Sequence, residues 1–393
     1  MTSDPSVSRV LGTTWLIIFV TSLCFRAVDP AIPQIAQGFV MDAETVALLS
    51  TAFALPYAIM QPLLGAFADA FGKTRTMTVC ILLVMVWSFA GAIAATFSLL
   101  AASRALTGIV TGGIFPIALA IAGDLVPIAQ RQVAIGRLLA GAMLGNLLGS
   151  PAAGLIGDLF GWRAIFVFMG FTGVVALIAA LVGFRDVTRD SGGRFDAGEA
   201  IANYRAIFRN PLAKFCYGAV FLEGAFLFGL FPYMANLLTA HGEPRASIAG
   251  LVLAGFGLGG IVYSLSVSVL LNWLGEKKLM ICGGLIMGVS LMIVALRMPW
   301  PVEFLDFALM GFGFYMLHGV IQIYASELSP TARGSAMAMH SLFFFTGLAF
   351  GPVVYRIGFP TFGVTATLIF AGVIIMMVGV VCATKLRHSA HPR

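Results

Sequence analysis

Several ionisable residues of this chain stand deep inside long apolar runs, where a charge needs a reason. FRAVDPAIP places Arg26 and Asp29 three residues apart, on one face if the run is helical, with Pro30 and Pro33 loosening the backbone beside them. Arg104 interrupts LAASRALTGIVTGG, Glu223 interrupts FLEGAFLFGLFPYMANLL, Asp306 and His318 share LDFALMGFGFYMLHGV, and His340 follows in the next run. If such runs cross a membrane, each full charge costs at least about 2.5 kcal/mol at the midplane and is functional by default. The chemistry open to these groups is carrying a proton or holding an ionic ligand. Glu223 and Asp29 are the candidate proton carriers, Glu223 first because no partner stands near it in sequence. Arg26 and Arg104 suit either an anionic ligand or the tuning of Asp29.

A plainer use stands beside each. Arg26 and Asp29 also read as a mutually satisfied structural pair. Asp306 and Glu303 lie near the end of their run, where a solvated rim explains them equally well. A lone histidine such as His340 is more often a helix contact than a proton carrier. Asn146, Tyr233, Asn236, Tyr315 and Tyr324 offer hydrogen bonds to a ligand or between helices.

The runs that must position these residues dominate the chain. Of 393 residues, 60% are hydrophobic and 10% charged, and mean hydropathy is +0.98, whereas a soluble domain carries about 25% charged residues. So little polar surface cannot cover a water-soluble globule. Polarity rises between spans 11–36, 44–68, 77–97, 98–123, 133–158, 162–184, 213–239, 246–271, 279–297, 301–326, 334–357 and 362–384, each close to one bilayer crossing. The expected fold is an all-α membrane protein of twelve transmembrane helices, since a lone segment in lipid must satisfy its own backbone. The first helix is long and continuous with the rest, which suits an insertion signal that stays in place.

Of the 23 Lys and Arg residues, Arg163, Arg245, Arg297 and Arg356 fall on one side, Arg26 and Arg104 lie inside helices, and the remaining seventeen fall on the other side. The positive-inside rule puts both termini in the cytoplasm. The net charge of +6 is this loop bias and gives no reason to invoke nucleic acid. The chain also repeats: Gly72 and Gly275, Arg75 and Lys278, Met77 and Met280, Gly108 and Gly311, Asp124 and Glu327 are each 203 residues apart. It therefore divides into two pseudo-symmetric six-helix bundles, 1–184 and 213–393, joined by a cytoplasmic linker, 185–212. Within that linker AGEAIANYRAIFRN reads as a simple tether or as a basic amphipathic helix on the inner leaflet.

Between the second and third spans GAFADAFGKTRTM gathers Gly65, Asp69, Gly72, Lys73 and Arg75. Two six-helix halves with this charged turn, weakly copied after the eighth span, resemble the major facilitator superfamily. That resemblance covers nearly the whole chain, with Ala70 standing where the family's turn usually has Arg or Lys. It implies that Asp69 braces the outward-facing state against the N-terminal end of the eleventh helix and nearby basic groups, a conformational latch to which Asp124 also belongs. The fourth span's Leu100, Arg104, Gly108 and Gly112 are similar to a family pattern whose intramembrane Arg supports proton transfer. In the fifth, Gly145, Gly149, Pro151 and Gly154 are similar to the glycine-proline pattern of antiporters, with Ser150 inserted between Gly and Pro. Such glycines also simply let helices pack closely. The twelve-helix drug:proton antiporters, sugar-efflux-like members included, look closest.

GKT at 72–74 is not a phosphate loop, because Phe67 stands where that motif needs Gly and no strand precedes it. The five cysteines show no paired spacing, and neither a metal motif nor a nucleophile with its base is present. No enzymatic activity, cofactor or metal is expected. The expected function is proton-coupled export of a small amphipathic compound by alternating access, in a bacterial inner membrane and as a monomer whose partners are substrate, protons and lipid. Proton-coupled uptake of an organic anion, motivated by Arg26 and Arg104, and a non-transporting sensor on the same scaffold are the alternatives.

Overall fold

A computed structural model describes residues 5–185, 197–329 and 332–386; 186–196 of the linker lie outside them. Eleven helices among the described residues are long and apolar enough to cross a bilayer. One of them, Ala246–Val294, runs for 49 residues, about 74 Å at 1.5 Å per residue and more than twice a ~30 Å hydrocarbon core. Gly275, at φ 67° and ψ 166°, breaks it into two helices, which restores the twelve spans expected from sequence. We number the helices α1 (Ser6–Phe39), α2 (Leu48–Phe71), α3 (Lys73–Ala92), α4 (Phe97–Leu125), α5 (Ile128–Phe160), α6 (Trp162–Gly183), α7 (Ala197–Arg209), α8 (Ala213–Ala240), α9 and α10 (Ala246–Val294 before and after Gly275), α11 (Trp300–Glu327), α12 (Arg333–Phe362) and α13 (Val364–Lys385). α7 does not span and falls in the linker.

The chain packs as two compact units. The first comprises residues 1–42, 52–195 and 245–250; the second 43–51, 196–244 and 251–393. Two short segments therefore pack away from their neighbours in sequence. In the first unit Asp158, near the end of α5, accepts the backbone N–H groups of Ala246 and Ser247, each at 2.8 Å, so it caps the opening turn of α9. In the second, Thr51 donates to the Ala349 carbonyl at 2.7 Å and Arg356 to the Thr45 hydroxyl at 3.1 Å.

The sequence repeat reappears as geometry inside each unit. Gly72 and Gly275 both adopt positive φ, 95° and 67°, which a Cβ would strain. A Cβ added at Gly108 would run into the carbonyl oxygen of Phe53, and one at Gly311 into that of Phe256. Likewise Gly145 and Gly149 of α5 abut the backbone of Phe19 and Leu23 on α1, while Gly347 and Gly351 of α12 abut Phe221 and Ala225 on α8. Small residues thus seat matching helix pairs backbone to backbone in both units.

Proline stands in both α1 and α8, and each departs from regular α-helix. Pro30 has no N–H to give the Arg26 carbonyl, and α1 passes through a 3-10 turn at Asp29–Ala31. The orphaned carbonyl accepts instead from the Ser150 hydroxyl, 3.1 Å away. Ser150, the departure from the antiporter spacing, has a packing reason here. α8 is also irregular ahead of Pro232: Glu223–Leu227 form a π turn and Phe228–Leu230 a 3-10 turn, and the Phe226 carbonyl is met by the Tyr355 hydroxyl at 2.5 Å.

Candidate functional site

Glu223 opens the irregular stretch of α8 and is fully buried. Its Oε2 shares a 2.7 Å hydrogen bond with His318 Nδ1 on α11. The His340 ring, from α12, lies 5.0 Å from that of His318. Glu223 Oε1 and His340 Nε2 are buried with no hydrogen-bond partner among the described residues. Phenylalanines wall this polar group: Phe314 stacks on His318 at 4.5 Å, Phe344 lies 5.1 Å from it, and Phe228 touches both rings at 5.1 and 5.3 Å. A carboxyl and an imidazole in direct contact can hold one proton between them, here in largely apolar surroundings. Single-turn π segments are often found at such functional positions.

The first unit holds a second cluster of buried charges. Arg26 Nη1 lies 3.2 Å from Asp29 Oδ2, and both side chains are buried. Arg104 sits with its guanidinium 4.3 Å over the Phe53 ring, buried, its Nε unpartnered among the described residues. Phe25, Phe53 and Tyr57 form one aromatic cluster, with centroids 5.1 to 5.8 Å apart. The cluster holds two guanidiniums and one carboxylate, a surplus of positive charge in an apolar wall.

Other residues fall into less central places. Asp306 and Glu303 are each only 2% exposed, so the solvated-rim reading of them fails; Asp306 has neither oxygen paired among the described residues, and Glu303 accepts the Met298 N–H at 3.2 Å. Tyr233 is buried and donates to the Pro352 carbonyl at 2.6 Å, which makes it a bridge between α8 and α12. Asn146 donates to its own helix at Ala142, 3.1 Å away, and Tyr324 to Glu276 at 2.9 Å. Tyr315 joins the aromatic wall beside Phe314, and Asn236 is half-buried. Pro151 lies within α5, and Gly154 abuts the Ala246 backbone.

In the turn after α2, Lys73 pairs with Asp124 of α4 and lies 3.7 Å from Asp69. Asp69 and Asp124 are each 47% exposed, so these pairs tie three helices together at ~0–1 kcal/mol apiece. Arg131 donates to the Gly123 carbonyl at 2.5 Å. Gly72 is explained by its φ, Arg75 is exposed, and open space surrounds Gly65.

These two charged clusters lie in units whose helices repeat one another, and the family comparison agrees. The family model described as Major Facilitator Superfamily matches residues 14–274 and 215–393. The chain belongs to the major facilitator superfamily. As a member of this transporter superfamily it is an integral membrane protein that handles small molecules. It is 25% identical over 360 residues to Multidrug resistance protein 1 of Bacillus subtilis, covering 89% of this chain and 91% of that protein. It is also 25% identical over 360 residues to the Quinolone resistance protein NorA of Staphylococcus aureus, covering 88% and 89%. The fold matches the crystal structure of a D-xylose-proton symporter at TM-score 0.78, 16% identity and 96% coverage of both chains. A peptide transporter POT crystallised with sulfate gives the same TM-score and identity, covering 96% of this chain and 94% of that one.

Proposed function

We propose that this superfamily member exports a small amphipathic compound in exchange for protons, by alternating access and without changing the compound chemically. The observation that carries the reading is the Glu223–His318 hydrogen bond at 2.7 Å inside a phenylalanine wall. Proton exchange needs a titratable group shielded from bulk water, and the phenyl faces suit an apolar or cationic compound. The similarity to multidrug and quinolone resistance proteins supports export. The loop charges favour both termini in the cytoplasm of a bacterial plasma membrane, with the monomer as the working unit. The test is flux in vesicles of purified protein under an imposed pH gradient, across a panel of amphipathic cations, neutral compounds and carboxylates. Uphill movement that stops when a protonophore collapses the gradient is the expected result, and no gradient-dependent movement of any compound would overturn the proposal.

Arg104 favours a second reading, uptake of an organic anion, because its buried guanidinium lies over the Phe53 ring and its Nε has no hydrogen-bond partner among the described residues. Under that reading Arg104→Ala abolishes binding of carboxylate compounds and spares neutral ones. If Arg104 serves Asp29 instead, the same variant loses pH dependence for every substrate. Isothermal titration at two pH values separates the outcomes.

Asp69 is read as a latch that favours one conformational state, since a contact made in one state alone biases the equilibrium. Losing about 1.4 kcal/mol from that state shifts the populations about tenfold. In Asp69→Asn, a cysteine introduced in the cytoplasmic half of α5 or α12 is expected to react faster with a polar thiol reagent, and one in the external half more slowly. Equal labelling of both positions in variant and parent would assign Asp69 to a solvated turn.

A further inference from the structure

The linker helix α7 is not used by any step proposed above, yet it is built into the second unit. Ile207 is fully buried. Asn210, just past its end, donates to the Leu328 carbonyl at 3.2 Å and accepts the Leu212 N–H at 3.0 Å. Phe208 rests against Tyr217 of α8 and Phe343 of α12, with ring centroids 5.8 and 6.2 Å apart. Leu328 directly follows the last residue of α11, and Tyr217 lies one turn inside α8. α7 is therefore anchored at the level where membrane helices end, not suspended in solvent.

Its outer surface is ordered by the helical period. Tyr204 and Phe208 are one turn apart, and so are Arg205 and Arg209; the aromatic pair lies between the buried Ile207 edge and the arginine pair. These four residues line an open cleft of about 540 Å³. Phe208 remains 53% exposed, and both arginines are exposed, with no hydrogen bond or ion pair among the described residues. Two guanidiniums one turn apart suit a phosphate, which they grip through paired N–H groups. The half-buried Tyr204 and the exposed Phe208 beside them gain nothing from an aqueous anion but do gain from glycerol and acyl chain at the bilayer interface. Lys214 follows, and cytoplasmic basic residues of this kind attract the anionic inner leaflet.

We propose that α7 holds the headgroup phosphate of an anionic phospholipid, with Arg205 and Arg209 on the phosphate and Tyr204 and Phe208 against the glycerol and upper acyl chain. The proposal uses the cytoplasmic orientation and is independent of the transported compound. The full-length protein is titrated with phosphatidylglycerol and with phosphatidylcholine in detergent and read by native mass spectrometry. Each arginine at a membrane surface changes affinity roughly fivefold, so R205Q/R209Q is expected to bind phosphatidylglycerol about thirtyfold more weakly, with phosphatidylcholine binding unchanged. K277Q/K278Q, which removes another basic pair, is expected to bind as the parent does. A phosphatidylglycerol carrying a photoreactive headgroup is expected to cross-link the unmodified protein within Ala197–Arg209. Equal phosphatidylglycerol binding by R205Q/R209Q and the parent, or cross-links only outside α7, would overturn the proposal. So would displacement of the lipid by equimolar inorganic phosphate, which would mark a site for soluble anions, or by an acidic peptide, which would mark a protein-docking surface.

Discussion

Glu223→Gln is expected to abolish proton-driven transport while leaving substrate exchange intact. The amide keeps the size of the side chain and can still hydrogen-bond His318, whose Nδ1 lies 2.7 Å from Oε2 in the parent, but it cannot release a proton. Flux under a pH gradient should therefore fall to the level seen without one. Counterflow at equal pH needs only the conformational cycle and should stay within about threefold of the parent, a change of ~0.6 kcal/mol. His318→Gln tests the same contact from the other side. If the imidazole relays the proton, coupling falls in that variant as well, and His340→Gln, one ring further along, weakens it less. Unchanged coupling in Glu223→Gln would remove Glu223 as the carrier and leave Asp29, Glu303 and Asp306 as the buried carboxylates to examine.

Glu223 was legible in the sequence because a single carboxylate in an apolar run announces itself; its surroundings were not. His318 lies 95 residues downstream, and His340 on yet another helix, where a lone histidine reads as an ordinary contact. The π turn that presents Glu223 lies where Gly224 and Gly229 abut α12, a packing that local propensity does not encode. The spans were readable because each apolar run is as long as the bilayer is thick, and Gly72 and Gly275 marked the repeat because turns with positive φ select glycine. Tyr233 shows the limit: the sequence offered it as a ligand contact or a bridge, and only the fold directs its hydroxyl to Pro352. Asp158 escaped notice altogether, since the N–H groups it caps are 88 and 89 residues away. One trace of it exists, in that α9 starts behind Arg245 without a Ser, Thr, Asp or Asn to cap it.

Arg26→Ala is expected to destabilise the first unit more than any other single change to the charged clusters. Its guanidinium lies 3.2 Å from Asp29, and the two side chains are 10% and 3% exposed. Removing one partner of a buried ion pair typically costs about 3–5 kcal/mol, whereas removing both is close to neutral. Thermal unfolding in detergent should show a large drop for Arg26→Ala, about 2–4 °C for each kcal/mol in a unit of this size, and substantial recovery in R26A/D29A. An equal loss in the single and double variants would mean that Arg26 contributes through packing on Phe25, 5.2 Å from its guanidinium, and not through the charge of Asp29. The stabilised double variant then decides what the pair is for. With Glu223 carrying the proton, R26A/D29A folds and still transports against a pH gradient, and the pair is a structural brace at the point where Pro30 interrupts α1. If R26A/D29A folds but its flux no longer responds to the gradient, the coupling depends on Asp29, and the two irregular helices, α1 and α8, each supply a carboxylate to the proton path.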